Sequence, residues 1–167
     1  ITEYDIDYQK RYDMKFGGAK SLIMSGYEGE KIRIRLASNT LETLQSDFKL
    51  SIDDVKNWID KIRSRIDINM VRKNNMTEAA AKEALFIFIS LPNKYMGKIE
   101  LAVNAENIEL HSLECESIEL DARTKNVVLN DILGTVEINC NMDMDIICNS
   151  VSGAVEINQI SATSRIR

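Results

Sequence analysis

The sequence predicts an all-β fold: a single-domain β-solenoid, parallel β-helix-like, with about 18–19 residues and two short strands per turn and a short helical insert in the N-terminal half. Two observations carry this. From residue 98 the chain reads KIELAV, NIELHSL, SIELDAR, NVVLNDI, TVEINC, DIICNSV and AVEINQI, each built as apolar, outward, apolar. The first apolar residues are Ile99, Ile108, Ile118, Val127, Val136, Ile146 and Val155, nine or ten residues apart, so two units make one turn.

The second observation is that alternate units match residue for residue. One side stacks Ile99, Ile118, Val136 and Val155, then Leu101, Leu120, Ile138 and Ile157. The other stacks Ile108, Val127 and Ile146, then Leu110, Leu129 and Cys148, with a third row of Leu113, Ile132 and Val151. Strand side chains alternate between faces, so the residue between two inward ones points out. Those outward residues are Glu100, Glu119, Glu137 and Glu156 on one flank and Glu109, Val128 and Ile147 on the other. One flank is an acidic stripe; the other turns apolar. The next position is polar, with Asp121, Asn139 and Asn158 on one side and His111, Asn130 and Asn149 on the other. Asx side chains bond nearby backbone and tolerate turn conformations, so these rows are expected at the corners. His111, the one histidine, belongs to that row and is not read as a ligand or base.

Residues 97–167 form the regular repeats of the one domain, and residues 1–92 a less regular part. Alternation there predicts strands at Tyr4–Tyr8, Ser21–Met24, Ile32–Leu36, Phe48–Ile52, Ile66–Met70 and Leu85–Leu91, with Gly26–Gly29 as a hairpin turn. Between Asp53 and Arg63, the residues Val55, Trp58, Ile59 and Ile62 fall at helical spacing, and Ser51 with Asp54 resembles a capping box. Thr77–Ala84 predicts a further short helix before the strand that ends at Pro92, the one proline. A helix with an apolar stripe needs cover, as does the outward pair Val128 and Ile147, so the N-terminal region or a second subunit is expected across that pair.

Composition narrows the function classes. With 167 residues, 44% of them hydrophobic and 28% charged, the chain is an ordinary globular domain. A net charge of −5 disfavours nucleic acid, which calls for clustered Lys and Arg. No run approaches the roughly 18 apolar residues of a membrane span. The chain opens on Ile1, so a preceding segment is expected, and any signal or anchor would lie in it. Cys115, Cys140 and Cys148 are odd in number, match no zinc spacing and read as small buried hydrophobes.

The stretch IFISLPNKYMGKIELAV, followed by the NIEL, SIEL and NVVLND units, resembles the bacterial putative-adhesin family of β-solenoid domains, a family of unknown function. There a strand ending in proline leads into repeated short strands, as Phe86–Pro92 leads into Ile99 here. The likeness covers about half the chain well and Ala19–Leu36 more loosely; its motifs are structural and transfer no catalytic residue. It implies a protein of the bacterial cell envelope, on its extracellular face and often membrane-anchored, with adhesion as the proposed role. The chain departs from the family in having few corner glycines and in the insert at 53–63.

No catalytic residue, metal site or cofactor is expected. Glutamates one turn apart would lie about 4.8 Å from each other at the backbone, repeated with no unique pair, which suits a solvated stripe better than a sugar-cleaving couple. Sugar sites also use aromatic platforms, and 6% of the chain is aromatic. Calcium would favour the clustered oxygens, but no dedicated loop is present in the sequence. The reading is therefore a cell-envelope or surface interaction module that binds a protein or cell-surface ligand, touches membrane only through a segment outside this chain, and is a monomer or weak homo-oligomer. The alternatives are a membrane-tethered or cytoplasmic accessory in envelope-stress signalling and, remotely, a carbohydrate-active β-helix enzyme. Arg165 and Arg167, flanking Ile166, are expected to blunt the C-terminal edge, and the N-terminal strands to cover the other.

Overall fold

The computed structural model describes residues 1–8, 10–38, 47–55, 65–94, 96–140, 142–159 and 164–167. Described in chain order, the strands are β1 (Thr2–Asp5), β2 (Arg11–Tyr27), β3 (Lys31–Ser38), β4 (Phe48–Val55), β5 (Arg65–Arg72), β6 (Leu85–Pro92), β7 (Met96–Arg123), β8 (Asn126–Cys140), β9 (Met144–Ser152), β10 (Val155–Gln159) and β11 (Ser164–Ile166). Helix α1 (Glu78–Ala84) precedes β6. The strands form one mixed sheet rather than separate parallel ones, ordered β1-β3-β6-β2-β7-β8-β9-β11, with β10 beside β8, β5 beside β2 and β4 beside β5.

The stacked rows expected from the repeats are present in the register. Ile108 pairs with Val127 and Val127 with Ile146; Ile118 pairs with Val136 and Val136 with Val155. Leu110, Leu129 and Cys148 follow, as do Leu113, Ile132 and Val151, and Leu120, Ile138 and Ile157. Each pairing is parallel, so an inward residue on one strand must meet an inward residue on the next. Ile108, Val127, Ile146, Val136 and Ile138 are all fully buried. Burying each such side chain contributes about 1.5–3 kcal/mol.

These rows reach back further than residue 97. β2 pairs parallel with β7, placing Tyr12, Met14 and Phe16 beside Ile99, Leu101 and Val103, and Leu22 and Met24 beside Ile108 and Leu110. Strand Ser21–Met24 is thus the second half of a 17-residue strand that carries the same alternation from Arg11. Gly18, at φ +82°, breaks the register between Gly17 and Ala19. Helix α1 lies over that point: a Cβ at Gly18 would come within 3.0 Å of Glu78 Cγ. The helix is capped by Thr77, whose Oγ1 accepts the Ala80 N–H at 3.1 Å, and it buries Ala81 and Ala84.

Several expectations change. The turn after Gly26 does not close a hairpin, because β6 lies between β2 and β3, parallel to the first and antiparallel to the second. The Tyr27 ring spans this wider connection, its hydroxyl donating to the Lys31 carbonyl at 2.6 Å. The first strand is Thr2–Asp5, short of Tyr8, since the Tyr12 hydroxyl accepts the Asp7 N–H and draws the chain inward. The capping box at Ser51 and Asp54 is absent: both belong to β4, which pairs antiparallel with β5 from Phe48–Arg72 to Val55–Arg65. Asp53–Val55 of the expected helix therefore extend a strand, and its remaining residues, 56–63, lie outside those described.

The polar rows expected at corners lie within the strands instead. His111, Asn130 and Asn149 are paired in the sheet, and the left-handed backbone falls on Ser112, Asp131 and Ser150, at φ 52°, 57° and 56°. Asp121, Asn139 and Asn158 stack in extended strands, Asn139 donating to Asp121 at 2.9 Å and Asn158 to Asn139 at 3.0 Å. These amides tie adjacent strands together through their side chains, and the residues that follow them, Ala122, Cys140 and Gln159, are still paired in the sheet.

Two measurements probe this core. Leu129→Ala, at a fully buried site, is expected to cost about 2–5 kcal/mol in urea unfolding, whereas Leu133→Ala, at a 52% exposed site, should cost about 0.5 kcal/mol or less; equal losses would contradict the inward assignment. Burial pushes the Cys115 thiol up to about 11, while Cys148 is only half-buried. Iodoacetamide at mildly alkaline pH should then alkylate Cys148 first, as read by peptide mass spectrometry, and equal labelling of Cys115 would refute its burial.

Candidate functional site

The outward face carries two rows of side chains, one on each flank, and the register defines both. On the acidic flank Asp53 pairs with Asp67, Asp67 with Asp13 and Asp13 with Glu100. Further along, Glu119 pairs with Glu137 and Glu137 with Glu156. The stripe of four glutamates is thus the C-terminal part of a longer row of carboxylates. Like charges directly opposite one another are destabilising, so cations are expected among them.

They are present at one end. Arg11 Nε lies 2.9 Å from Asp13 Oδ1, and its Nη1 3.6 Å from Glu100 Oε1. Arg65 Nε lies 2.8 Å from Asp67 Oδ1 and 3.5 Å from Asp13 Oδ2. Toward the other end the described contacts are amides: Asn139 donates to Glu119 at 3.3 Å and Asn158 to Glu137 at 3.0 Å. Burial, then the neighbouring Glu100, Asp121 and Glu137, hold the Glu119 carboxyl above its ordinary range, against a smaller opposing effect of Arg11. The two arginines and their aspartates were not among the expected site residues, yet a signal was present: Arg11-Tyr12-Asp13 and Arg65-Ile66-Asp67 are the same Arg-apolar-Asp triplet on neighbouring strands.

The apolar flank is also longer than Val128 and Ile147. Phe88 pairs with Ile23, Ile23 with Glu109, Glu109 with Val128 and Val128 with Ile147. Arg35, beside Phe88 on β3, places its guanidinium 4.2 Å from the ring centroid. Glu109, the one charge within the row, has His111 Nε2 at 3.8 Å. All five members are half-buried. A shallow recess of about 290 Å³, lined by Lys20, Ser21, Phe86, Asn107, Glu109 and Val128 among others, borders it. The described N-terminal strands lengthen this row edge to edge and do not lie across it, and α1 packs on β2.

Among the described residues no group of three or more His, Cys, Asp or Glu is placed to hold a metal ion, and no helix is long and apolar enough to cross a membrane. Of the two rows, one offers a graded negative charge, the other a flat apolar strip with a charged interruption.

No protein-family model matches the chain, and no curated protein does. Among solved structures, a protein described as a putative cell adhesion protein from Clostridium sporogenes is similar over 99% of this chain and 96% of its own, at 11% identity and a TM-score of 0.64. A putative adhesin from Bacteroides fragilis is similar over 99% and 95%, at 10% identity and a TM-score of 0.37. The first likeness shows a shared fold.

The shifted carboxyl gives a pH prediction. A folded-state pKa above the unfolded one means that the folded chain binds more protons, so stability falls as pH rises through that window. Glu119→Gln is therefore expected to raise the melting temperature at neutral pH, with the gain fading as pH drops below about 4. A neutral-pH melting temperature equal to or below that of the parent chain would contradict the repulsive row.

Proposed function

We propose that the chain is a non-catalytic β-solenoid acting as an adhesin-like contact module on the extracellular face of a bacterial envelope. Parallel pairing at steps of 18 and 19 residues, Ile118 to Val136 and Val127 to Ile146, supports the solenoid reading. The fold shared with the Clostridium sporogenes protein described as a putative cell adhesion protein supports the surface role.

The observation that carries the proposal is the outward row of Phe88, Ile23, Val128 and Ile147. It is apolar, half-buried and aligned across neighbouring strands, and the extensive described contacts of β8 and β9 are with their sheet neighbours alone. A row of this kind, rimmed by charge, fits a partner surface better than a substrate. The acidic flank would set approach and orientation, since charge complementarity governs encounter more than affinity.

The test uses the fluorescently labelled chain titrated onto immobilised extracellular matrix proteins and onto intact bacterial cells. Saturable binding to at least one surface is expected. The pair Val128→Thr and Ile147→Thr keeps branched strand residues but removes apolar surface, and should weaken that binding about tenfold with little change in melting temperature. Absence of saturable binding on every surface, or binding indifferent to the double substitution, would overturn the reading.

A further inference from the structure

We propose that the recess beside the apolar row is a binding site for a neutral pyranose sugar. Non-local pairing builds it: Ser21 lies between Phe86 on β6 and Asn107 on β7, and Asn107 pairs onward with Asn126 on β8. All four share one face, because residues paired in register point the same way. Ser21 is the short member, so the row dips between the Phe86 ring and the Asn107 amide, whose strands stand about 10 Å apart across it. Glu109 and Val128, two residues further along their strands, close one side, and Lys20 closes the other. The cavity holds about 290 Å³. That is at the small end of ligand pockets, which run from about 300 Å³ upward, and it suits one ring-sized molecule.

The polar groups select the ligand. Asn126 Nδ2 donates to Asn107 Oδ1 at 2.9 Å. That bond leaves the Asn107 Nδ2 donors and the Asn126 Oδ1 acceptor unpaired among the described residues, and exchanging the roles of the two amides again leaves one donor group and one acceptor. The Glu109 carboxylate adds further acceptors. Donors and acceptors facing an aromatic ring match a pyranose, which carries hydroxyls around its rim and C–H groups on its face; those C–H groups are drawn to the electron-rich face of the aromatic ring. A wholly apolar ligand would strand the amides. Of the two charged residues among those described as lining the cavity, Lys20 is engaged by Glu106 at 2.8 Å. The charge left facing a ligand is Glu109, which repels an anionic sugar. Residues 97–167 contain no Phe, Tyr or Trp, so the ring that a sugar needs reaches the repeats only through the pairing of β6 with β2.

Side-chain amide NMR of the isotope-labelled whole chain tests this, with methyl glucoside, galactoside and mannoside as probes and each compared with its uronate and its open-chain alditol. At least one pyranoside is expected to shift the Asn107 and Asn126 side-chain signals saturably, with a dissociation constant on the order of 1 mM. Its uronate and alditol should bind about tenfold more weakly or not at all. Phe86→Leu keeps the bulk of a half-buried side chain but removes the ring, and Asn126→Ala changes an exposed position. Each should weaken binding about tenfold as read at Asn107, and melting curves confirm that the fold is retained. No response to any of the three pyranosides, equal binding of the uronate or the alditol, or binding indifferent to either substitution would each overturn the proposal. The probes are free sugars, so failure here leaves the binding of the apolar row to whole surfaces to its own test.

Discussion

Parallel pairing in strict register is the constraint on which the molecule depends. A strand's side chains alternate with a period of two, so a slip of one residue would turn every inward Ile, Leu and Val outward. The chain resists that slip by stacking like on like: Ile108, Val127 and Ile146 form one row and Leu113, Ile132 and Val151 another. The left-handed residues Ser112, Asp131 and Ser150 recur at matching positions, each one residue after the paired His111, Asn130 and Asn149. Gly134, at φ +142°, holds the following bend close to Cys115, whose carbonyl oxygen would lie 2.3 Å from any Cβ placed there. Side-chain bonds reinforce the same register, as where buried Thr124 donates to the Glu106 carbonyl at 3.0 Å.

The repeated half was legible because repetition multiplies a weak signal. A single IEL triplet says little, but seven units in two alternating classes identify which residues stack, and from Ile108 onward the observed register has those pairs. The N-terminal half was harder for a physical reason: its strands reach their partners across long sequence separations, and nothing local announces them. Residues 11–17 alternate as well as any repeat but were not among the expected strands, and Gly17 and Gly18 interrupt the alternation beneath α1. Gly26–Gly29 has the composition of a hairpin turn, but pairing is decided by β6, which arrives nearly sixty residues later and takes the place beside β2. At Ser51–Val55 local capping chemistry favoured a helix, and eight cross-strand partners on β5 outweighed it.

The site was half legible for the same reason. Glu100, Glu119, Glu137 and Glu156 were visible because they repeat, while Asp13, Asp67 and their arginines enter the row only through the non-local pairing of β2 with β5 and β7. That difference changes the electrostatics. A uniform acidic stripe becomes a row that is offset by Arg11 and Arg65 at one end and grows more negative toward Glu156. The charge along that row is therefore uneven, compensated at Asp13 and Asp67 and less so at Glu137 and Glu156.

The apolar row admits a purely structural account, and its magnitude decides how far that account goes. Branched side chains fit a half-buried pleated surface, and a favourable cross-strand pair contributes about 0.2–1 kcal/mol. That would explain Val128 beside Ile147, but threonine would serve nearly as well and stay wet. It does not explain why Phe88 and Ile23, contributed by strands far apart in sequence, continue the same line past Glu109. Nor does it explain Arg35 stacked on Phe88, which extends the strip with a cation where the sheet turns antiparallel. A row assembled from five strands and flanked by charge is a surface property, and strand propensity acts on each residue separately. The inward ladders already hold the register, so the outward positions were free to be polar. That several are not is the strongest reason to read this flank as a face that meets something.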